Sequence, residues 1–430
     1  MKHALQIEIL KELIDQIDSG KNVDAGVQYR MPVTSYVCRA TAEEEWQAFF
    51  QNHPQLIGLS GDLPVPGSFF TLDDFSTPVL ATRDKHGKFH AFLNACRHRS
   101  VKVAMEERGN KSRFTCPFHA WTYANTGDLI AIPDEDHFGE VDKSCNGLIE
   151  LPAIERGGLL WVHPQPDGRL DIDTLLGDLA AEIDSHGIDE LVYAGGKTIT
   201  ADLNWKLAND TFGETYHFKK LHKNTLGRLF IGNNLHFKEF GRQHRFVTAN
   251  NGIQRMRELP ESEWQLTRAT FVLYYLFPNI QCIVNDQRVT LVRIYPDRNS
   301  PGRSTTQISF YYTQEALDYA NTPHADVATP ENVYNPADAS DRRPSLAVSL
   351  EVFTSTIEHE DYVMGALQQR AAENGLIGEI QFGRNEPALH HFHNSYRKAL
   401  GRPLLMAEQA HSAEQAASSD NLDVVVAASR

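Results

Sequence analysis

The segments Cys96-Arg97-His98 and Cys116-Pro117-Phe118-His119 put two Cys/His pairs on one chain, with seventeen residues between His98 and Cys116. Four ligands at such close spacing point to a metal site, and a metal site dictates the path of both loops that carry it. Zinc is one reading, although zinc sites usually pair Cys with Cys and His with His. Here each loop mixes one thiolate with one imidazole, and a single residue separates the first pair. That pattern suits a two-iron cluster in which each loop gives its Cys to one iron and its His to the other. Cys38, Cys145 and Cys282 have no partner at ligand spacing and read as ordinary buried or half-buried thiols.

The surroundings of the pairs predict a small all-β domain over 35–170. TPVLATRD and KFHAFLNAC flank KHG, and WTY and LIAIP flank ANTGD, two hairpin signatures with Gly in the turn. Both pairs fall on strand-to-strand loops. Over 171–405 the texture becomes α+β. Helical patterns over DIDTLLGDLAAEIDSHG and Asn204–His222 precede strand-like runs in 268–312, and a long helix follows over Ser349–Gly375. Residues 1–34 predict an amphipathic helix and linker. The Pro- and Asn-containing segment 313–347 predicts a surface loop, and the tail 406–430 a disordered end.

The 430 residues are enough for these two domains, and 41% apolar with 23% charged residues is a globular balance. A formal net charge of −15 argues against a binder of nucleic acid. Five cysteines, sparse and odd in number, exclude a secreted disulfide framework. The N-terminus lacks the apolar core of a signal peptide, and no run is long enough for a membrane span, so the expected location is cytoplasmic.

The stretch CRHRS…CPFHAW resembles the Rieske domain of bacterial Rieske non-haem iron oxygenases, the family that includes aromatic ring-hydroxylating dioxygenase alpha subunits. It differs from the respiratory Rieske protein, whose extra cysteines would fall at Val101 and Phe118. The resemblance implies a [2Fe–2S] cluster on Cys96, His98, Cys116 and His119. It covers about 35–400 and implies a second domain of helix-grip-like form, an antiparallel sheet with a long helix, holding a mononuclear Fe(II).

NDTFGETYHFKKLH supplies Asp210, Glu214, His217 and His222. The two histidines are five apart and converge if a helix ends or loosens there. Two His plus a carboxylate, with open positions, is the facial triad of non-haem Fe(II) oxygenases. By resemblance Asp361, in EHEDYVMGALQQ, is the third ligand, with Glu358 in reserve; Glu360 and Gln369 complete the motif, and His359 points elsewhere. Glu214 takes the place of the family's usual Asp, which bridges a cluster His of the neighbouring subunit to an iron-ligand His. Asp210 would support from behind. The cluster HHFHNSYRK (His390–Lys398) reads as packing and interface.

O2 is a poor oxidant until reduced, and two metal sites supply the electrons. No Gly-rich dinucleotide fingerprint is present, so an NAD(P)H-dependent reductase or ferredoxin on another chain is expected. The family implies a ring of subunits, a homotrimer or an α3β3 assembly. Apolar stretches after His222 suit hydroxylation of an aromatic compound, mono- or cis-dihydroxylation. That is the leading expectation; the alternative, suggested by Glu214 in place of Asp as in some family members that oxidise methylammonium compounds, is oxidative demethylation of an N-methyl or quaternary ammonium compound. A third reading is an electron carrier with a non-catalytic second domain.

Overall fold

The computed structural model describes residues 1–320 and 345–408. The expected hairpins form where predicted: Val79–Arg83 pairs with Phe89–Leu93, and Thr122–Ala124 with Leu129–Ala131. Gly87 and Gly127 take φ of 81° and 89° in the turns, a region that L side chains rarely enter. A five-stranded sheet runs Glu150–Leu151, Phe89–Leu93, Val79–Arg83, Ser68–Leu72, Arg108–Asn110 in spatial order. Beside it, the three-stranded sheet Arg113–Thr115, Thr122–Ala124, Leu129–Ala131 carries the second Cys/His loop at its first hairpin.

The second module is built on a seven-stranded antiparallel sheet. Six strands from His236 to Tyr312 follow one another as a meander, and Val192–Ala201 joins at the edge beside Ser300–Tyr312. The β-branched and aromatic runs TFVLYYL and IQCIV are buried almost throughout, as central strands covered on both faces require. Helix Leu346–Thr356, a π-helical turn over Ile357–Asp361 and helix Tyr362–Glu373 form one long element. Gly375, at φ 72°, lies just beyond its end. The architecture is thus α+β: an all-β module followed by a sheet-and-helix module.

Several elements depart from expectation. The helix starting at Trp205 stops at Asp210, so the second helical pattern does not reach His222. The 171–187 pattern breaks at Gly177 into Ile172–Leu176 and Leu179–Asp184. Within 1–34 a helix spans His3–Ser19, and its Ile9, Leu10 and Leu13 enter the same core as Val247, Tyr274 and Cys282 of the second module. Tyr29–Pro32 pairs with Glu379–Phe382 and with Met406–Ala407, so the start of the supposed tail is a strand. Within 313–347 a helix spans Gln314–Ala320; positions 321–344 and 409–430 lie outside the described residues. No helix among the described residues is long and apolar enough to cross a membrane.

Candidate metal centres and the cavity beside them

The two Cys/His loops are built alike. Cys96 N–H donates to Val101 and Ser100 N–H to Cys96, at 2.8 and 2.9 Å. Cys116 N–H donates to Trp121 and Ala120 N–H to Cys116, again at 2.8 and 2.9 Å. Ser100 and Ala120, the residues that close each turn, both adopt the left-handed conformation. Such strain in non-glycine residues is tolerated where the surroundings fix the loop. The fold brings the four side chains together. Cys96 and Cys116 are each 3% exposed in one apolar cluster, while the His98 and His119 rings lie 4.5 Å apart and half-buried.

This donor set fits a Rieske cluster. Thiolates face inward, imidazoles outward, and His98 Nδ1 is buried with no hydrogen-bond partner in the protein. Sequence reasoning missed two supports. Tyr123 Oη lies 3.3 Å from Cys96 Sγ and accepts from Arg97 N–H at 2.9 Å, and Trp121 stacks on His98 at 5.3 Å. Trp121 ends the stretch CPFHAW and Tyr123 follows two residues on, but nothing in the spacing marks either one. Nearby, Lys102 pairs with Asp73, and Arg99 lies over the Phe118 ring at 5.8 Å. All five cysteines are free; Cys282 is buried, Cys38 half-buried, and Cys145 is exposed, contrary to expectation.

In the second module the chain leaves helix Trp205–Asp210 and runs through successive turns. Leu221 N–H bonds to His217 C=O, and Thr225 and Gly227 N–H bond to His222 C=O, all at 2.9 Å. Freed from the helix, His217 and His222 point their Nε2 atoms at each other, 3.1 Å apart. Asp361 arrives from the π-helical turn, its Oδ1 3.2 Å from His222 Nε2 and 3.5 Å from His217 Nε2. Two ligands at right angles, each about 2.1 Å from an ion, lie about 3.0 Å apart, so three donors so spaced match one face of an octahedron. They are the one such group of three or more among the described residues.

Charge supports the match. Burial disfavours a charged His217, but bonds to Asp361 and Glu214 outweigh it and hold its pKa at about 9. His222 is likewise raised against its burial, and Asp361 is lowered although its own burial pushes the other way. The pocket therefore favours positive charge at the point where the three donors converge.

Glu214 meets His217 Nδ1 directly and also accepts from the backbone N–H of His217, at 3.1 Å. Asp210 lies further off: it accepts from Tyr36 Oη at 2.7 Å and pairs with His393 Nε2 at 2.9 Å. Glu358, the reserve ligand, is bound to Lys197, and His359 is exposed. Glu360, noted only as part of a motif, holds His222 Nδ1 at 2.7 Å and Thr225 Oγ1 at 2.9 Å. His390, His391 and His393 are buried in the fold: His390 packs on Phe382, His391 bonds to His244 and His393 to Asp210.

Two cavities reach the triad. One, of about 880 Å³, lies under the sheet and is walled by Phe218, Phe230, Phe271, Leu273, Tyr312 and Arg288 among others. The second, of about 670 Å³, reaches His217 and Asp361 past Tyr36, Asp210, Glu214 and Glu386.

Comparison with known proteins follows the same two-part division. The model of the ring-hydroxylating alpha subunit catalytic domain matches residues 188–402, and that of the Rieske [2Fe-2S] domain matches 53–149. A glycine betaine monooxygenase oxygenase subunit from Chromohalobacter salexigens is 28% identical over 43% of this chain and 41% of its own length. The anthranilate 1,2-dioxygenase large subunit of Acinetobacter baylyi is 32% identical over 38% of this chain and 36% of its own. The alignments thus span less than half of either relative. A quaternary ammonium Rieske monooxygenase solved with L-carnitine superposes at a TM-score of 0.69, covering 88% of this chain and 97% of that one. At 17% identity that likeness is one of fold.

Proposed function

The chain belongs to the ring-hydroxylating alpha-subunit family, with its Rieske [2Fe-2S] domain and mononuclear-iron catalytic domain, and on that premise we propose that it is the terminal oxygenase of a two- or three-component system acting on an N-methyl or quaternary ammonium compound. The single observation that carries the oxygenase reading is the convergence of His217, His222 and Asp361, 3.1–3.5 Å apart, at the wall of a large, mainly apolar cavity. An electron carrier has no use for an open-sided triad facing 880 Å³ of space.

Each residue has an assigned task. Cys96, Cys116, His98 and His119 hold the cluster; His217, His222 and Asp361 hold the iron. Bound there, the two centres supply the redox chemistry that makes O2 reactive. Glu360 orients His222 through Nδ1, which leaves Nε2 free to bind metal. Glu214 holds Nδ1 of His217 and lies beside Tyr216, 64% exposed, on a surface that a second subunit can reach. That placement suits the inter-subunit bridge, and the longer Glu spans to His217 as the usual Asp would. A separate NAD(P)H-dependent reductase or ferredoxin refills the cluster, and copies of the chain assemble as a ring.

The substrate class is supported by the named activities of the relatives and by the aromatic lining of the cavity, Phe218, Phe230 and Phe271, a surface suited to a methylated ammonium. The same apolar wall favours a second reading, hydroxylation of an aromatic compound, matching the named activity of the 32% identical relative. A product screen tests both. The purified chain, a surrogate reductase, NADH and O2 are given methylammonium compounds or aromatic acids. Formaldehyde release supports demethylation, and a diol or phenol supports ring oxidation instead. About three irons per chain fits an oxygenase, while about two reduces it to a carrier.

A further inference from the structure

Arg288 opens the strand Arg288–Asp297 opposite Tyr312 and lines the 880 Å³ cavity together with His217, His222 and Asp361. Its guanidinium carbon lies 5.7 Å from the Phe310 ring and 5.9 Å from that of Tyr312. Only a long 3.4 Å bond joins Nη1 to Tyr312 Oη, and Nε is buried with no partner. Among the described residues no carboxylate pairs with it. Arg268, on the same cavity wall, is by contrast paired with Asp286 at 3.3 Å. Nε is shut off from the cavity, so the donors a ligand can meet are those on the two Nη atoms, which a guanidinium presents as a rigid, parallel pair. On a wall where aromatic rings adjoin Arg255, Arg268 and Asp286, the chemistry that satisfies such a fork is a planar anion, held by two parallel bonds.

We infer that Arg288 clamps a carboxylate of the substrate, so that the molecule oxidised at the triad is carboxylate-bearing, with its apolar or methylated end turned toward His217, His222 and Asp361. The inference rests on the oxygenase reading and narrows it. Among methylammonium compounds it selects betaine-type zwitterions over amino alcohols. Among aromatic compounds it selects acids over hydrocarbons. Arg288 is then a specificity-determining residue with no part in holding metal.

Calorimetric titration of the holoprotein tests this without turnover. Glycine betaine is compared with choline, which ends in an alcohol, and benzoate with benzyl alcohol. In the wild type, glycine betaine, benzoate or both should bind roughly 10- to 100-fold more tightly than the matching alcohol. Arg288→Leu should erase the difference, with the cluster's visible absorption unchanged, and Arg288→Lys should keep part of it. The inference is overturned if neither carboxylate is preferred in the wild type, or if the preference survives Arg288→Leu. A preference for benzoate alone sinks the methylammonium reading and leaves the clamp standing. Tight choline binding with no carboxylate preference does the reverse.

Discussion

His222 is 1% exposed and touches two carboxylates with its two nitrogens: Glu360 at Nδ1 and Asp361 at Nε2. An imidazole between two acceptors must commit its single neutral proton to one of them, and Glu360 is the closer, at 2.7 Å against 3.2 Å. Glu360 thereby sets the tautomer that leaves Nε2 free for metal. Replacing Glu360 by Ala should weaken iron retention by about 10- to 100-fold while the cluster spectrum is untouched. Iron content after dialysis against a mild chelator measures it. Equal retention in the variant and the wild type would remove Glu360 from the site. This role was not legible in the sequence. Glu358, Glu360 and Asp361 lie within one helical turn, and an α-helical wheel cannot say which carboxylate reaches which nitrogen. The π-helical turn over Ile357–Asp361 decides it, turning Asp361 inward while Glu358 goes to Lys197.

The short helix Trp205–Asp210 delivers the chain to the triad, and its position depends on one buried carboxylate. Glu45 accepts from Trp205 Nε1 at 2.7 Å, from Lys206 Nζ and from Tyr396 Oη. Glu45 and Lys206 are both 1% exposed, so the pair ties three helices together out of contact with water. Glu45→Leu leaves the ammonium of Lys206 unpaired in the core and should cost about 3–5 kcal/mol, read as a lowered urea midpoint. The double variant Glu45→Leu/Lys206→Met should recover most of that loss, because the uncompensated charge is gone. If the single variant unfolds at the wild-type midpoint, this tie does not anchor the helix. At this scale the sequence was informative about strands and poor about helix ends. The runs TFVLYYL and RVTLVRIY could be little else than strands, and they are. The stop at Asp210 carries no proline; the glycine nearby, Gly213, lies three residues on, where a Cβ would strike Leu389 at 2.2 Å. A tertiary contact, invisible in the local sequence, therefore shapes the chain where the histidines are to converge.

Across the whole molecule, His53, His186, His236 and His390 are held down to pKa values of about 4, each first by burial. The folded protein therefore keeps them neutral between pH 4 and 6.5, while the unfolded chain takes up their protons. Stability contributed by these sites is complete above 6.5 and is lost progressively as pH falls toward 4. The urea midpoint should fall clearly from pH 7.5 to about pH 5.5. A flat profile would contradict the burial of these rings.

The two modules are locked against each other in one chain. Asp62 of the first accepts from Tyr311 Oη of the second at 2.6 Å, Arg293 donates to the Ile57 carbonyl, and Arg108 stacks on Tyr193 at 3.7 Å. These contacts tie the cluster module to the triad module, and the imidazoles His98 and His119 remain partly exposed. Glu214, 15% exposed, lines the second cavity together with Asp210 and Glu386. These placements make sense if electrons pass between subunits. Complementation tests the path directly. Cys116→Ser removes the cluster and His217→Ala the iron site, so each variant alone should be inactive, His217→Ala retaining the cluster's visible absorption. Refolded or co-expressed as mixed oligomers, the pair should regain about a quarter of wild-type turnover if electrons cross between subunits, because one facing pair in four joins an intact cluster to an intact iron site. If electrons moved within one chain, no chain in the mixture would hold both centres, and activity would stay at the background of the single variants.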